Sequence, residues 1–148
     1  MSVPNRANKE RRIFIDTNVL VGYYRGLKHD VAAMRYLLKL KDYECYTSAL
    51  AVAQTISTCQ GRKKGKISKD AIVSFVKPLM GKVQIIGFSD KDISLALEMQ
   101  TNDLENNIQY VIGSKLSCYY YVTNNVKDYK FNNISPISPW NVRIINIW

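Results

Sequence analysis

Short apolar runs that alternate with segments of helical periodicity are the feature that most constrains the fold of this chain. The first run, residues 13–15, stops at Asp16 and Thr17, residue types that favour turns and helix N-caps over strand interiors. Three further apolar or aromatic runs are residues 43–46, 83–86 and 117–122. Because parallel strands need crossover connections, which are usually helical, this alternation predicts an α/β fold with helices on both faces of a parallel sheet.

A fifth strand completes the predicted sheet of about five strands. Two prolines precede an apolar run that predicts an edge strand over residues 142–147, formed by Val142, Ile144, Ile145 and Ile147. The polar start of the chain predicts a detachable arm over residues 1–11, since polar termini are usually mobile. No linker or repeat interrupts the remainder, so we expect one domain over residues 12–148.

Composition and charge narrow the classes of function. The chain has 148 residues, 47% hydrophobic and 22% charged, which excludes a disordered tail, a collagen-like repeat or a coiled coil. It carries 21 Lys and Arg against 12 Asp and Glu, and the net charge of +9 favours nucleic acid as a partner. Since no apolar stretch approaches the length of a membrane span and no signal sequence is visible, we expect a cytoplasmic protein without membrane contact.

Two aspartates follow strands of the predicted sheet. Asp16 closes the first strand and Asp128 lies just past the fourth, so both can reach the carboxyl edge of a parallel sheet, where ligands bind. Oxygen ligands of this kind suit Mg²⁺ or Mn²⁺. A helix cap explains each aspartate equally well when it is considered alone. The two together predict a shared metal site, with capping as the alternative.

Four motifs are spread over nearly the whole chain. They are FIDTNVL at residues 14–20, Thr47 and Ser48 before an apolar helix, DLEN at residues 103–106, and TNNVKDY at residues 123–129. With these motifs the chain resembles the PIN domain family, metal-dependent nucleases that include VapC-type toxins. The resemblance implies a parallel sheet of about five strands and an acidic pocket in which carboxylates hold divalent metal for RNA hydrolysis.

The resemblance assigns site residues at both ends of the chain. Asp16 matches the family's first metal ligand, and Asp128 matches a later one. Many members carry Asp two residues after the Thr of the last motif, so Asn125 is the alternative to Asp128 at that position. The resemblance also implies that Asn18 and Thr123 support the pocket.

Two positions depart from the family pattern. Gln54 stands where the family usually has Glu, and Asn106 stands where it usually has the last Asp of its third motif. Each change replaces a charged oxygen ligand with a neutral amide, so the affinity for Mg²⁺ should fall. Asp103 shares a helix face with Asn106 and is expected to offset part of the loss, whereas Glu105 is expected to point elsewhere. An N-cap is the alternative role for Asp103.

The densest basic segment is residues 61–69, which hold five cations and no acid. Its glycines let the side chains follow a phosphate backbone, and such contacts give affinity without sequence information. A solvated loop is the alternative. The cations expected to bind RNA are Arg62, Lys63, Lys64, Lys66 and Lys69.

The leading hypothesis is a metal-dependent ribonuclease, acting on RNA with Mg²⁺ or Mn²⁺, and the toxin of a toxin–antitoxin pair with an antitoxin protein as partner. A homodimer is left open. The alternative, which Gln54 and Asn106 favour, is a catalytically impaired module that binds RNA or a protein without cleavage. A phosphoacceptor receiver domain lacks support, since its second acidic pair and late Lys are missing. The residues expected to carry catalysis are Asp16, Asp128, Asp103, Gln54 and Asn106, of which Asp16, Asp128 and Asp103 would hold the metal.

Overall fold

A sheet of five parallel strands, in the order β3-β2-β1-β4-β5, is the centre of the fold. The computed structural model describes residues 11–61, 68–129 and 134–145. The strands are β1 (Arg12–Ile15), β2 (Glu44–Ser48), β3 (Gln84–Ile86), β4 (Tyr120–Val122) and β5 (Ser135–Ile137). The predicted α/β fold with a parallel sheet of about five strands is confirmed.

Helices connect the strands, as parallel pairing requires. They are α1 (Thr17–Tyr24), α2 (Lys28–Leu37), α3 (Ala49–Gln60), α4 (Lys69–Met80), α5 (Asp90–Glu98) and α6 (Leu104–Lys115). Two 3₁₀ helices, η1 (Val126–Asp128) and η2 (Pro139–Ile144), follow β4 and β5. Within the described ranges, no helix is both long and apolar enough to cross a bilayer. Of the predicted N-terminal arm, only Arg11 lies among the described residues.

Two hydrophobic cores cover the two faces of the sheet. Ile13 and Ile15 of β1 belong to one core, together with Met34 of α2. Phe14, between them in sequence, belongs to the other core and stacks on Tyr121 with 5.1 Å between ring centroids. Because alternate residues of a strand point to opposite faces, β1 is buried on both sides.

The fifth strand is not where the sequence pattern predicted it. β5 is formed by residues 135–137, which pair with β4. The predicted strand over residues 142–147 is wrong for residues 142–145, of which 142–144 belong to η2, and residues 146 and 147 lie outside the described residues. An edge strand tolerates Pro136, which has no N–H to donate. Val142 and Ile145 are buried where η2 packs on α2, and their spacing of three residues suits a 3₁₀ helix.

The carboxyl ends of β1, β2 and β4 bring polar residues to one edge of the sheet. Asp16 directly follows β1, and its backbone N–H donates to the carbonyl of Val122 in β4 at 2.9 Å. Ser48 ends β2 and caps α3 by accepting a hydrogen bond from the N–H of Ala51 at 2.9 Å. Thr123 follows β4 and is fully buried. The parallel topology therefore gathers Asp16, Ser48 and Thr123 at one edge.

Gly22 of α1 lies directly against Asp30 of α2. A Cβ atom at Gly22 would lie 1.7 Å from Oδ2 of Asp30 and 3.0 Å from its Cβ. Asp30 is fully buried, so it has little room to move away. Close packing of α1 on α2 therefore requires glycine at this position.

We expect the substitution Gly22→Ala to destabilise the protein by about 2 kcal/mol, because overpacking a core typically costs about 1–3 kcal/mol. In an unobstructed helix the same substitution stabilises the protein by roughly 0.5–1 kcal/mol. The sign of the change in the free energy of unfolding therefore shows whether Asp30 obstructs the added methyl group. Urea denaturation measures the effect. The matched control is Gly87→Ala, where a Cβ would meet nothing within 4 Å. A stabilised Gly22→Ala protein would contradict the close approach of Asp30.

Candidate active site

Asp16 occupies the junction of β1 and α1 and is 4% exposed. Its Oδ1 accepts a hydrogen bond from the N–H of Thr17 at 2.7 Å, and Asp16 is thereby the N-cap of α1. Its Oδ2 accepts hydrogen bonds from Thr123 Oγ1 at 2.8 Å, Asn18 Nδ2 at 3.1 Å and the Tyr129 hydroxyl at 3.1 Å. Oδ1 therefore acts as the helix cap, whereas Oδ2 is the centre of a network of polar side chains, called the Asp16 network below.

Burial is the largest influence on the Asp16 carboxyl and raises its pKa above the usual value. Hydrogen bonds from Thr123, Thr17 and Tyr129 lower the pKa and offset only part of the rise. Burial also raises the pKa of Tyr129, and the negative charge of Asp16 raises it further. A cation near Asp16 would relieve the unfavourable burial of this charge.

Tyr129 connects Asp16 to Asn106. Its hydroxyl oxygen lies 3.1 Å from Asp16 Oδ2 and 2.6 Å from Asn106 Oδ1. A hydroxyl has one proton, so it donates to one of these oxygens at a time. The ring is buried and packs against Tyr121 with 4.6 Å between centroids. Sequence analysis gave Tyr129 no role, and its place at the end of the last motif was the only signal for it.

Gln54 reaches the network through Thr17. The Thr17 hydroxyl donates to Gln54 Oε1 at 2.9 Å and accepts a hydrogen bond from Gln109 Nε2 at 3.1 Å. Gln109 Oε1 in turn accepts a hydrogen bond from Ser48 Oγ at 2.5 Å. Gln109 is buried and was not predicted. Hydrogen bonds thus join the starts of α1 and α3 to the middle of α6.

A cavity of about 810 Å³ opens beside Asp16 and is called the Asp16 cavity below. Gln54 and Asn106 also line it, so the structure brings three of the five predicted catalytic residues together. Asp30 and Glu105 line the same cavity. Sequence analysis missed Asp30, and its expectation that Glu105 points elsewhere is wrong.

Asp103 and Asp128 line a separate cavity of about 490 Å³, which Asn106 also lines. Asp103 Oδ1 accepts a hydrogen bond from the Asn106 N–H at 3.1 Å and caps α6, and Asp128 is exposed in η1. In the part of the chain that the structure describes, no three Asp, Glu, His or Cys side chains are grouped to hold one metal ion. The structure does not place the predicted metal trio around one cavity, since Asp16 lines one cavity and Asp103 and Asp128 line the other.

Asn125, the alternative to Asp128, lines neither of these two cavities. It is exposed, precedes η1, and its N–H donates to Thr123 Oγ1 at 3.1 Å. Its backbone therefore supports the network around Asp16. Of the two alternatives for the later ligand position, neither places a side chain in the Asp16 cavity.

The predicted RNA-binding segment falls mostly outside the described residues. Arg62, Lys63, Lys64 and Lys66 all lie outside them. Lys69 is described and is the exposed first residue of α4. Other basic side chains do reach the site, since Arg25 and His29 line the Asp16 cavity.

The oxygen donors of Asp16, Gln54 and Asn106 suit a hard divalent cation in type, but only Asp16 among these three is charged. Carboxylate and amide oxygens are the ligands that Mg²⁺ and Mn²⁺ use. Asp16 supplies a carboxylate, and Gln54 and Asn106 supply amide oxygens. The residues present therefore fit a weakly held Mg²⁺ or Mn²⁺ ion.

Comparisons with known proteins agree on the fold. No family model matches the chain. Ribonuclease VapC1 from Aquifex aeolicus (strain VF5) is 27% identical over 127 residues, covering 80% of this chain and 84% of the relative. The VapBC2 structure from Rickettsia felis, bound to a promoter DNA fragment, matches with a TM-score of 0.63 and 16% identity over 86% of this chain and 98% of that one. The structure of FitAB bound to an IR36 DNA fragment matches with a TM-score of 0.64 and 18% identity, over 87% of this chain and 96% of that one.

A toxin structure extends the comparison. VapC20 from Mycobacterium tuberculosis, named as a sarcin-ricin loop cleaving toxin, gives a TM-score of 0.56 and 15% identity. The match covers 74% of this chain and 86% of that one. The similarity to these solved structures shows a shared fold.

We expect Asp16 to make the stability of the metal-free protein depend on pH. Because the folded-state pKa is raised above the usual 3.8, the folded protein binds this proton more tightly than the unfolded chain. The stabilisation is complete below the unfolded pKa and is lost as the pH rises through the folded pKa. Relative to Asp16→Asn, the native free energy of unfolding should therefore fall from about pH 4 towards neutral pH.

Urea denaturation in chelator, repeated across this pH range, measures the difference between the two proteins. Asp103→Asn, which alters an exposed cap, is the matched control. A difference between native and Asp16→Asn protein that does not change with pH would contradict the raised pKa of Asp16.

Proposed function

We propose that the chain is a VapC-type PIN domain and a metal-dependent ribonuclease, the toxin of a toxin–antitoxin pair. The observation that carries the proposal is the buried Asp16 carboxylate, beside a cavity at the carboxyl edge of a parallel sheet. Ligands of open α/β sheets bind at that edge. The similarity to a relative named as a ribonuclease supports the same activity.

Asp16, Gln54 and Asn106 would hold the Mg²⁺ or Mn²⁺ ion. The ion would polarise the scissile phosphate and help an attacking water to lose its proton. The hydrogen bonds from Thr123 and Tyr129 keep the Asp16 carboxylate in one orientation. A fixed orientation matters because pre-organised groups need no rearrangement when charge develops in the transition state.

Arg25 and the basic segment would contact the RNA backbone. Arg25 lines the Asp16 cavity, and its planar guanidinium can bind a phosphate through two hydrogen bonds. Ser57 and Thr58 of α3 line the same cavity, and α3 ends two residues later at Gln60. The basic segment follows at residues 61–69. We assign it to sequence-independent phosphate contacts, since such contacts position RNA without reading bases.

An antitoxin protein is the proposed partner. The solved structures similar to this chain include VapBC2 from Rickettsia felis, and a toxin–antitoxin complex from Klebsiella pneumoniae, with a TM-score of 0.63. We propose that this chain pairs in the same way and acts in the cytoplasm, where its RNA substrate would be found. A homodimer stays a prediction.

The second candidate function is an RNA-binding or protein-binding module that does not cleave. Gln54 and Asn106 favour it, because each offers a neutral amide where a carboxylate would attract a cation more strongly. The two candidates differ in what happens when that charge is supplied. In a ribonuclease, added carboxylates should raise both the affinity for metal and the rate of RNA cleavage. In a binding module, they should produce no cleavage, and RNA binding should not require metal.

We expect the double variant Gln54→Glu, Asn106→Asp to bind Mn²⁺ at least about tenfold more tightly, because affinity for hard cations rises with ligand charge. Each new carboxylate keeps the oxygen that now accepts a hydrogen bond from Thr17 or Tyr129. Cleavage of single-stranded RNA should increase in parallel. The measurement is cleavage by native and variant protein across a Mn²⁺ series.

The matched control is Gln60→Glu, Gln100→Glu, which adds the same charge at two exposed positions that do not line the Asp16 cavity. It should leave both metal affinity and cleavage near native values. Strong native cleavage that the double variant does not increase would show that the native site is not short of charge. Absence of cleavage by both proteins would overturn the ribonuclease in favour of the binding module.

A further inference from the structure

An exposed tryptophan stacks on a residue that lines the Asp16 cavity. Trp140 in η2 is 73% exposed, the largest fraction among the large apolar side chains that the structure describes. Its ring stacks on His29 with 4.9 Å between centroids and 10° between planes. His29, in the first turn of α2, lines the cavity. Trp140 therefore presents an exposed aromatic surface directly against a residue that lines the cavity.

Packing of η2 does not account for this arrangement. Val142 and Ile145 are buried and anchor this part of the chain in the core with α2. A ring that is 73% exposed buries little apolar area and adds little to that anchor. Trp140 can therefore contact a ligand with little loss of folding stability.

His29 lies against Asp30. Its Nε2 lies 3.4 Å from Asp30 Oδ2, an oxygen that is fully buried and has no hydrogen-bond partner among the described residues. Asp30 Oδ1 accepts a hydrogen bond from Asn124 Nδ2 at 2.9 Å. The imidazole is therefore positioned between a buried carboxylate and the Trp140 ring.

Hydrogen bonds connect Asp30, the neighbour of His29, to the Asp16 network. The N–H of Asn124 donates to Asn18 Oδ1 at 3.0 Å, and Asn18 Nδ2 donates to Asp16 Oδ2 at 3.1 Å. Asn124 also donates a hydrogen bond to Asp30, which lies against His29. The position of the stacked His29 and Trp140 rings is therefore linked to that of the Asp16 carboxylate. A ligand held on Trp140 would have a defined position relative to Asp16.

We propose that Trp140, supported by His29, is a stacking subsite for one base of single-stranded RNA at the edge of the Asp16 cavity. Aromatic side chains beside cationic ones are the pattern that single-stranded nucleic acid recognises, because bases stack and phosphates need positive charge. Arg25 lines the same cavity and supplies that charge. The inference rests on the proposed ribonuclease function and adds a residue that positions the substrate.

Binding of a labelled oligouridylate, measured by fluorescence anisotropy in chelator so that no cleavage occurs, tests the inference. Trp140→Leu should weaken binding by about tenfold, the size typical of one base–aromatic stack, and Trp140→Phe should retain most of the affinity. An abasic oligonucleotide of equal length should bind native and Trp140→Leu protein equally. Leu97→Ala, which alters another exposed apolar residue, is the matched control and should bind like the native protein.

Equal binding of the oligouridylate by native and Trp140→Leu protein would overturn the subsite and favour a protein partner for Trp140. An equal loss with the abasic oligonucleotide would overturn it as well, because that loss does not depend on bases. Cleavage with Mn²⁺ separates this inference from the proposed function. If native and Trp140→Leu proteins cleave RNA with the same KM, the subsite fails and the ribonuclease stands. If the native protein binds bases through Trp140 without cleaving, the ribonuclease fails and the subsite stands.

Discussion

The burial of one carboxylate at the end of β1 is the constraint on which the rest of the site depends. Asp16 is nearly inaccessible, and its charge is unfavourable there unless donors or a cation surround it. Thr123, from the end of β4, and Tyr129, after η1, supply hydrogen bonds to the same oxygen. The parallel sheet makes this possible, because it brings chain segments that are far apart in sequence to one edge. The Tyr129 hydroxyl also lies 2.6 Å from Asn106 Oδ1.

Local sequence patterns predicted the architecture because each pattern reflects the structural preferences of a few neighbouring residues. An apolar run that ends at Asp16 indicates a strand followed by a cap, and the alternation of strands and helices indicates parallel pairing. The fifth strand was misplaced for the same kind of reason. Pro136 made residues 135–137 resemble a loop in the sequence. The apolar run that predicted the strand begins with Val142 and Ile144, which lie in the 3₁₀ helix η2.

The contents of the site were harder to predict because they depend on side-chain contacts across the sheet. Sequence spacing placed Asp103 and Asn106 on one helix face, yet Asp103 caps α6 and lines a different cavity from Asp16. Tyr129 and Gln109 reach the network only because β4 and α6 pack where they do. Motif resemblance identifies positions, but the cavity that a side chain lines is a tertiary property.

A calorimetric titration of Mn²⁺ into native, Asp16→Asn and Asp128→Asn protein tests the central claim most directly, namely that the Asp16 cavity holds the divalent cation. Asp16 and Asp128 line different cavities, so the two variants separate the two locations. The account predicts that the native protein binds one ion weakly, that Asp16→Asn abolishes the binding, and that Asp128→Asn leaves the affinity close to native. Unchanged binding by Asp16→Asn, or loss of binding in Asp128→Asn alone, would contradict it.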